Sequence, residues 1–236
     1  MKAKELAKWF MHSNPALNNG YNDENTKLNK LLFFSNLMYY CVHDSKLIDE
    51  PFEKWDNGPV IREIYKDYRY KNLSSSDLSD VKIDDDMALK ILNIINLVYG
   101  DMSAKDLSEK SHESPIWQLA QRNEVLDFSN ASEDEKRLMN NLYMLYKNFD
   151  FENCGIERVN GNKYYFDKRY IEANDDLIKY LETIPYGSDP KFIELIDGEY
   201  VLSWWIYLYV KCSIQMTRRI IMVCTNILSG FLMEIN

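Results

Sequence analysis

The chain of 236 residues has little of what marks a metal, phosphate or redox site: only 8 Gly, 6 Pro, 4 Cys and 3 His. The glycines form no G-x-G-x-x-G or Walker array, which excludes a phosphate-cradling loop as the organising theme. Cys41, Cys154, Cys212 and Cys224 include no C-x-x-C pair, so neither a regular disulfide framework nor a zinc module is expected. Cys41 and His43 stand two apart on a predicted helix and point to different faces, a poor metal pair. His112-Glu113 lacks the second histidine of a zincin, and no G-x-S-x-G elbow is present. No catalytic constellation is specified. The expectation is a protein that is not an enzyme, with no cofactor and no metal.

Excess positive charge is missing too. Lys and Arg total 28 against 37 Asp and Glu, a net charge of -9, which excludes bulk attraction to nucleic-acid backbones. Long apolar runs are also short of what a membrane needs. Residues 201–210 are apolar except Ser203, and 220–233 nearly so. Lys211, Arg218 and Arg219 divide them into pieces shorter than the roughly 20 residues of a spanning helix. The opening residues MKAKELAKWF are charged and helical rather than signal-like, so a reducing cytoplasm is the expected setting.

What is present is apolar and aromatic. Hydrophobic residues make up 46% and aromatics 14%, with 17 Tyr, enough for a sizeable packed core. The fold class expected is mainly α: a compact helical domain over residues 1–150, then a smaller α+β region over 151–236 with two β-hairpins. Ala3, Leu6, Ala7 and Phe10 define one buried helical stripe. Thr26 is a candidate cap for a second helix through Leu28, Leu31, Leu32, Ser35, Met38, Tyr39 and Val42. Pro59 suits the first turn of a third, carrying Val60, Ile64, Tyr65 and Tyr68. Met87, Ile91, Ile94, Ile95 and Val98 mark a fourth, with Asp84-Asp85-Asp86 capping it. Short helices follow at 103–110 and 114–121. Ser132 with Glu135 forms a capping box ahead of Leu138, Leu142 and Leu145.

Beyond Phe149–Asn153, the expected boundary, the period changes. Ile156–Val159, Asn160-Gly161 and Asn162–Phe166 read as a hairpin, since Asn-Gly accepts the positive φ of a tight primed turn. Lys191–Ile196, Asp197-Gly198 and Glu199–Val210 repeat that logic, and a helix is expected between them from Ile171 to Ile184 with Leu177, Ile178 and Leu181 inward. In an extended strand Trp205, Tyr207 and Tyr209 share one face, opposite Trp204, Ile206 and Leu208. Tyr200, Trp204, Trp205, Tyr207 and Tyr209 are therefore a candidate partner-binding patch.

The segment Glu50–Val60 places Phe52 and Trp55 beside a Gly58-Pro59 bend. It serves either as a core-closing loop or as a rigid rim beside an exposed groove. Three stretches stand in order: Lys27-Leu-Asn-Lys30-Leu-Leu-Phe-Phe34; Phe52-x-x-Trp55-x-x-Gly58-Pro59-Val60 followed by Tyr65; and Leu107-x-x-x-x-His112-x-x-Pro115-x-Trp117. Their types and spacing resemble the Panacea domain family of SocA-like antitoxins, which includes phage-associated proteins. The resemblance spans about the first 150 residues.

That resemblance implies a helical domain that neutralises a cognate protein toxin, encoded adjacently, by binding it; some members are thought to present the toxin to a protease. By analogy residues 151–236 determine which toxin is recognised. Lys27, Lys30, Phe52, Trp55, Gly58, Pro59, Val60, Tyr65, His112, Pro115 and Trp117 are then structural or partner-contacting. Negative net charge suits an inhibitor covering a basic surface. Three alternatives stand beside this one. The first is a phage- or prophage-encoded protein that modulates a host protein without a toxin. The second is a DNA-binding autoregulator using Lys211, Arg218 and Arg219, and the third a hydrolase using His112.

Overall fold

The computed structural model of the chain describes residues 1–20, 22–71, 73, 81–187 and 191–203. They are mainly helical and form two compact units, Met1–Asn148 and Phe149–Asn236.

The first unit is built around one helix. After α1 (Ala3–Ser13), α2 (Asn22–His43) carries consecutive buried residues from Leu28 to Met38. This helix is buried on every side, its apolar residues interleaved with the buried polar Asn29, Lys30, Ser35 and Asn36. Around it pack α3 (Arg62–Arg69), α4 (Asp86–Tyr99), α5 (Ala104–Glu113) and α7 (Glu133–Tyr146), with the short α6 (Pro115–Gln118) following α5. Phe33 is the aromatic hub, 5.8 Å from Phe52 and 5.6 Å from Phe128 between ring centres, and Phe34 stacks on Tyr99 at 4.8 Å. Asp85 caps α4 through Met87 N and Ala88 N, and the Ser132–Glu135 capping box starts α7.

Three local expectations are corrected. Thr26 lies inside α2, its hydroxyl donating to Asn22 O, and is not the cap. On α7 the buried residues are Met139 and Tyr146, whereas Leu138 is 51% exposed. Several apolar residues line α7, and packing against α2 and α4 selects which face is covered. Third, Pro59 does not start a helix. It lies in β2 (Gly58–Val60), antiparallel to β1 (Glu53–Trp55) across an Asp56-Asn57 turn, so a two-stranded hairpin interrupts the helical unit.

The reason lies in α2, whose buried polar side chains bond the backbone of segments packed against it. Lys30 Nζ donates to Pro59 O at 2.9 Å, and Asn29 Oδ1 accepts from Ile61 N at 3.0 Å. Asn36 Oδ1 accepts from Leu47 N and Ile48 N, and Asn25 donates to Tyr65 O. Of these groups, the Pro59 carbonyl is the one that a helix starting at Pro59 would have used itself, and Lys30 takes it instead. Tertiary bonding overrides the local preference of proline for a first helical turn.

The second unit holds β3 (Cys154–Val159), β4 (Asn162–Asp167), α8 (Asp175–Glu182), β5 (Lys191–Ile196) and β6 (Glu199–Ser203) in one sheet of order β3-β4-β5-β6. Both hairpins are antiparallel, with positive φ at Asn160, Gly161, Asp197 and Gly198 as the turns require. The β4–β5 pair is parallel and α8 makes the crossover. Leu177 and Leu181 of α8 pack on Tyr164, Phe166, Ile171 and Ile193. Asn174 caps α8, so the helix is shorter than the apolar pattern over 171–184. Asn162 pins the crossover, accepting from Gly187 N at 2.9 Å and donating to Pro185 O at 3.2 Å.

Candidate partner-binding site

The motif residues of the first unit divide by depth. Lys30 is fully buried, and Phe52, Gly58, Pro59 and Val60 are also buried. Gly58 has φ 96°, and a Cβ there would overlap Ser111 Oγ and stand 2.7 Å from Lys30 Cε. Only glycine lets the hairpin lie this close to the lysine stem. Burial lowers the Lys30 amine to a pKa of about 7. No carboxylate of the described residues pairs with it.

Trp55, Tyr65, His112, Pro115 and Trp117 are only half-buried, as is Lys27 on α2. Four of them are joined. The Trp55 and Tyr65 rings lie 5.0 Å apart, the His112 and Trp117 rings stack at 4.1 Å, and Trp117 Nε1 donates to Trp55 O at 3.2 Å. Residues up to 62 positions apart thus meet along β1. Sequence spacing gave no sign of two further cations on these rings. Lys54 Nζ sits 4.1 Å from the centre of the Trp117 ring, and the Arg62 guanidinium 5.7 Å from that of Trp55.

Electrostatics holds this rim in shape. Glu53 accepts from Arg62 Nε at 3.0 Å, from Arg62 Nη2 at 2.7 Å and from Trp55 Nε1 at 3.0 Å. The Arg62 bonds chiefly hold the Glu53 carboxyl below its ordinary range. Lys54 Nζ donates to Gln118 O at 3.2 Å and Ala120 O at 3.0 Å. The segment after α6 runs beside β1, with Lys54 N donating to Glu124 O and Leu126 N to Phe52 O. It presents Leu119 at 65% exposure and Val125 at 54%.

His112 is held below the ordinary histidine pKa, first by burial and then by the Lys30 and Lys54 charges. Its Nε2 atom is buried with no hydrogen-bond partner. What the rim offers is aromatic area with cations seated on it. In the second unit, Tyr200 stands 5.7 Å from Tyr180 and its hydroxyl donates to Asn174 Oδ1 at 3.4 Å. Trp204, Trp205, Tyr207 and Tyr209 lie outside the described residues. Among those residues no group of three His, Cys, Asp or Glu could hold a metal ion, and no helix is long and apolar enough to cross a membrane.

Residues 28–118 match the family described as antitoxin SocA-like, Panacea domain. The matched stretch runs from the first turns of α2 through α6 and includes the whole β1–β2 hairpin and the His112–Trp117 pair. An antitoxin-like role, in general terms, is what this likeness supports. No curated protein and no solved structure matches the chain.

Proposed function

We propose, from the likeness of residues 28–118 to SocA-like antitoxins, that this protein neutralises a cognate toxin by binding it directly and without turnover. The rim of Trp55, Tyr65, His112 and Trp117 is the docking platform of the first unit. The observation that carries this reading is that these motif aromatics meet at the surface and stay half-exposed, although the core would readily take rings of this kind. Tryptophan and tyrosine with cations on their faces are the side chains that most often anchor an interface. The segment 151–236, outside the matched stretch, supplies selectivity for one toxin, and presentation of the bound toxin to a protease is a further step of the same reading.

The test is growth of cells expressing the neighbouring open reading frame with and without this chain. Toxicity alone, rescue on co-expression and co-purification are expected, and Trp55→Ala with Trp117→Ala removes rescue while the protein stays folded. Truncation after residue 150 leaves a folded domain that no longer neutralises. A neighbour harmless in both conditions overturns the antitoxin reading. Full rescue by the truncated domain overturns the selectivity assigned to residues 151–236.

A further inference from the structure

His112 joins three parts of the rim. Its ring stacks on Trp117 of α6, its carbonyl accepts from Gln118 Nε2 at 2.9 Å, and its ring bonds the Asp56 carbonyl in the turn between β1 and β2. Trp117 Nε1 in turn donates to Trp55 O, so His112, Trp117 and β1 form one chain of contacts. Nε2 of His112 is buried without a partner, which leaves the Asp56 bond to Nδ1. In the neutral Nδ1–H tautomer the orphan is an acceptor. A proton on Nε2 makes it a buried charged donor with nothing to receive it, the costlier state of the two.

The groups around the ring oppose that proton. Lys30 faces it from α2 and Lys54 from β1, while α6 contributes the uncharged Trp117 ring. The Asp56 carbonyl and, on α5 itself, the Glu109 carboxylate favour the charged ring, but each acts less than either lysine. Glu109 is exposed and also pairs with Lys105 at 3.8 Å. Lys30 gains its own charge below about 7, so the opposition grows over the range in which a histidine titrates.

We propose that His112 is a proton switch for the rim: neutral, it holds Trp117 in place, and protonated, it turns out to solvent and releases Trp117. That the switch gates toxin docking rests on the reading of this rim as the docking platform. The imidazolium carries a donor on each nitrogen. The Asp56 carbonyl takes one, and the other finds an acceptor only where water reaches it. Trp117 then loses its stacking partner and keeps Lys54 and Trp55 O alone. Because α6 is a single turn, the release is local to the rim.

NMR titration of the full chain tests the switch without any toxin, following the His112 ring and the Trp117 indole N–H from about pH 8 to about pH 5. The Trp117 signal is expected to move with the midpoint of His112. In Lys54→Gln, which keeps a donor but no charge, both midpoints rise together. In His112→Phe, which keeps a ring against Trp117, the Trp117 signal no longer follows pH. A Trp117 signal that stays fixed while His112 titrates, or that still titrates in His112→Phe, overturns the proposal. The toxin from the neighbouring open reading frame is expected to bind about threefold or more weakly at the acid end to the wild type, and equally at both ends to His112→Phe. Equal affinity for the wild type overturns the gating. Absence of binding at either pH overturns the antitoxin reading, whereas a shared His112 and Trp117 midpoint still supports the switch.

Discussion

Lys30 Nζ meets Pro59 O at 2.9 Å, tying the middle of the central helix α2 to a strand 29 residues further along. The lysine has no exposed surface, so its bond to the carbonyl stands where a solvent contact would otherwise be. The hairpin that carries Trp55 is seated by this bond and by that of Asn29 to Ile61.

The amine of Lys30 sets a pH dependence. Its folded pKa is about 7 against the ordinary lysine value of 10.5, so between these values the unfolded chain binds a proton that the folded chain does not. Stability therefore rises with pH from about 7 toward 10 by this group. The difference in unfolding free energy between wild type and Lys30→Met should grow in favour of the wild type over that window. Urea titrations at several pH values check it, and a flat difference would mean that the amine is not desolvated.

Gly58→Ala should destabilise the first unit by about 2–4 kcal/mol, because the added carbon meets Ser111 and Lys30 in a left-handed backbone region. Thermal unfolding measures this. Ser111→Ala in the same background should return only part of the loss, since the φ of 96° remains.

Asn36→Ala leaves Leu47 N and Ile48 N, both buried, without their acceptor. A cost of about 2–4 kcal/mol is expected for two such orphaned donors. Hydrogen exchange at these two amides should accelerate well beyond that at Ile61, which Asn29 serves.

Trp117→Ala removes the ring stacked on His112 and the face beneath Lys54. Burial is the main cause of the lowered His112 pKa, so the value should move up toward that of an exposed histidine. NMR titration of the imidazole reads this directly. The lowered pKa makes stability fall as pH drops below the ordinary histidine value, and the variant should lose less over the same range.

Much of the fold is legible along the chain. The Asn160-Gly161 and Asp197-Gly198 turns, the Ser132–Glu135 box and the stripe of α1 depend on residues within four positions of one another. Such signals rest on local φ preferences and on the 3.6-residue period, which act before any distant contact forms. The motif residues of the candidate rim were legible as types and spacings. Their division into buried support and half-exposed surface was not.

Determined by the sequence alone are the mainly helical character and the two hairpins of the second unit. Only the tertiary structure decided that Pro59 lies in a strand, that α7 turns Leu138 outward, and that Trp55 and Trp117 share a surface. These outcomes depend on which backbone groups remain to be satisfied once α2 is enclosed. A proline carbonyl taken by Lys30 and an amide taken by Asn29 hold the chain extended where local preference favours a helix.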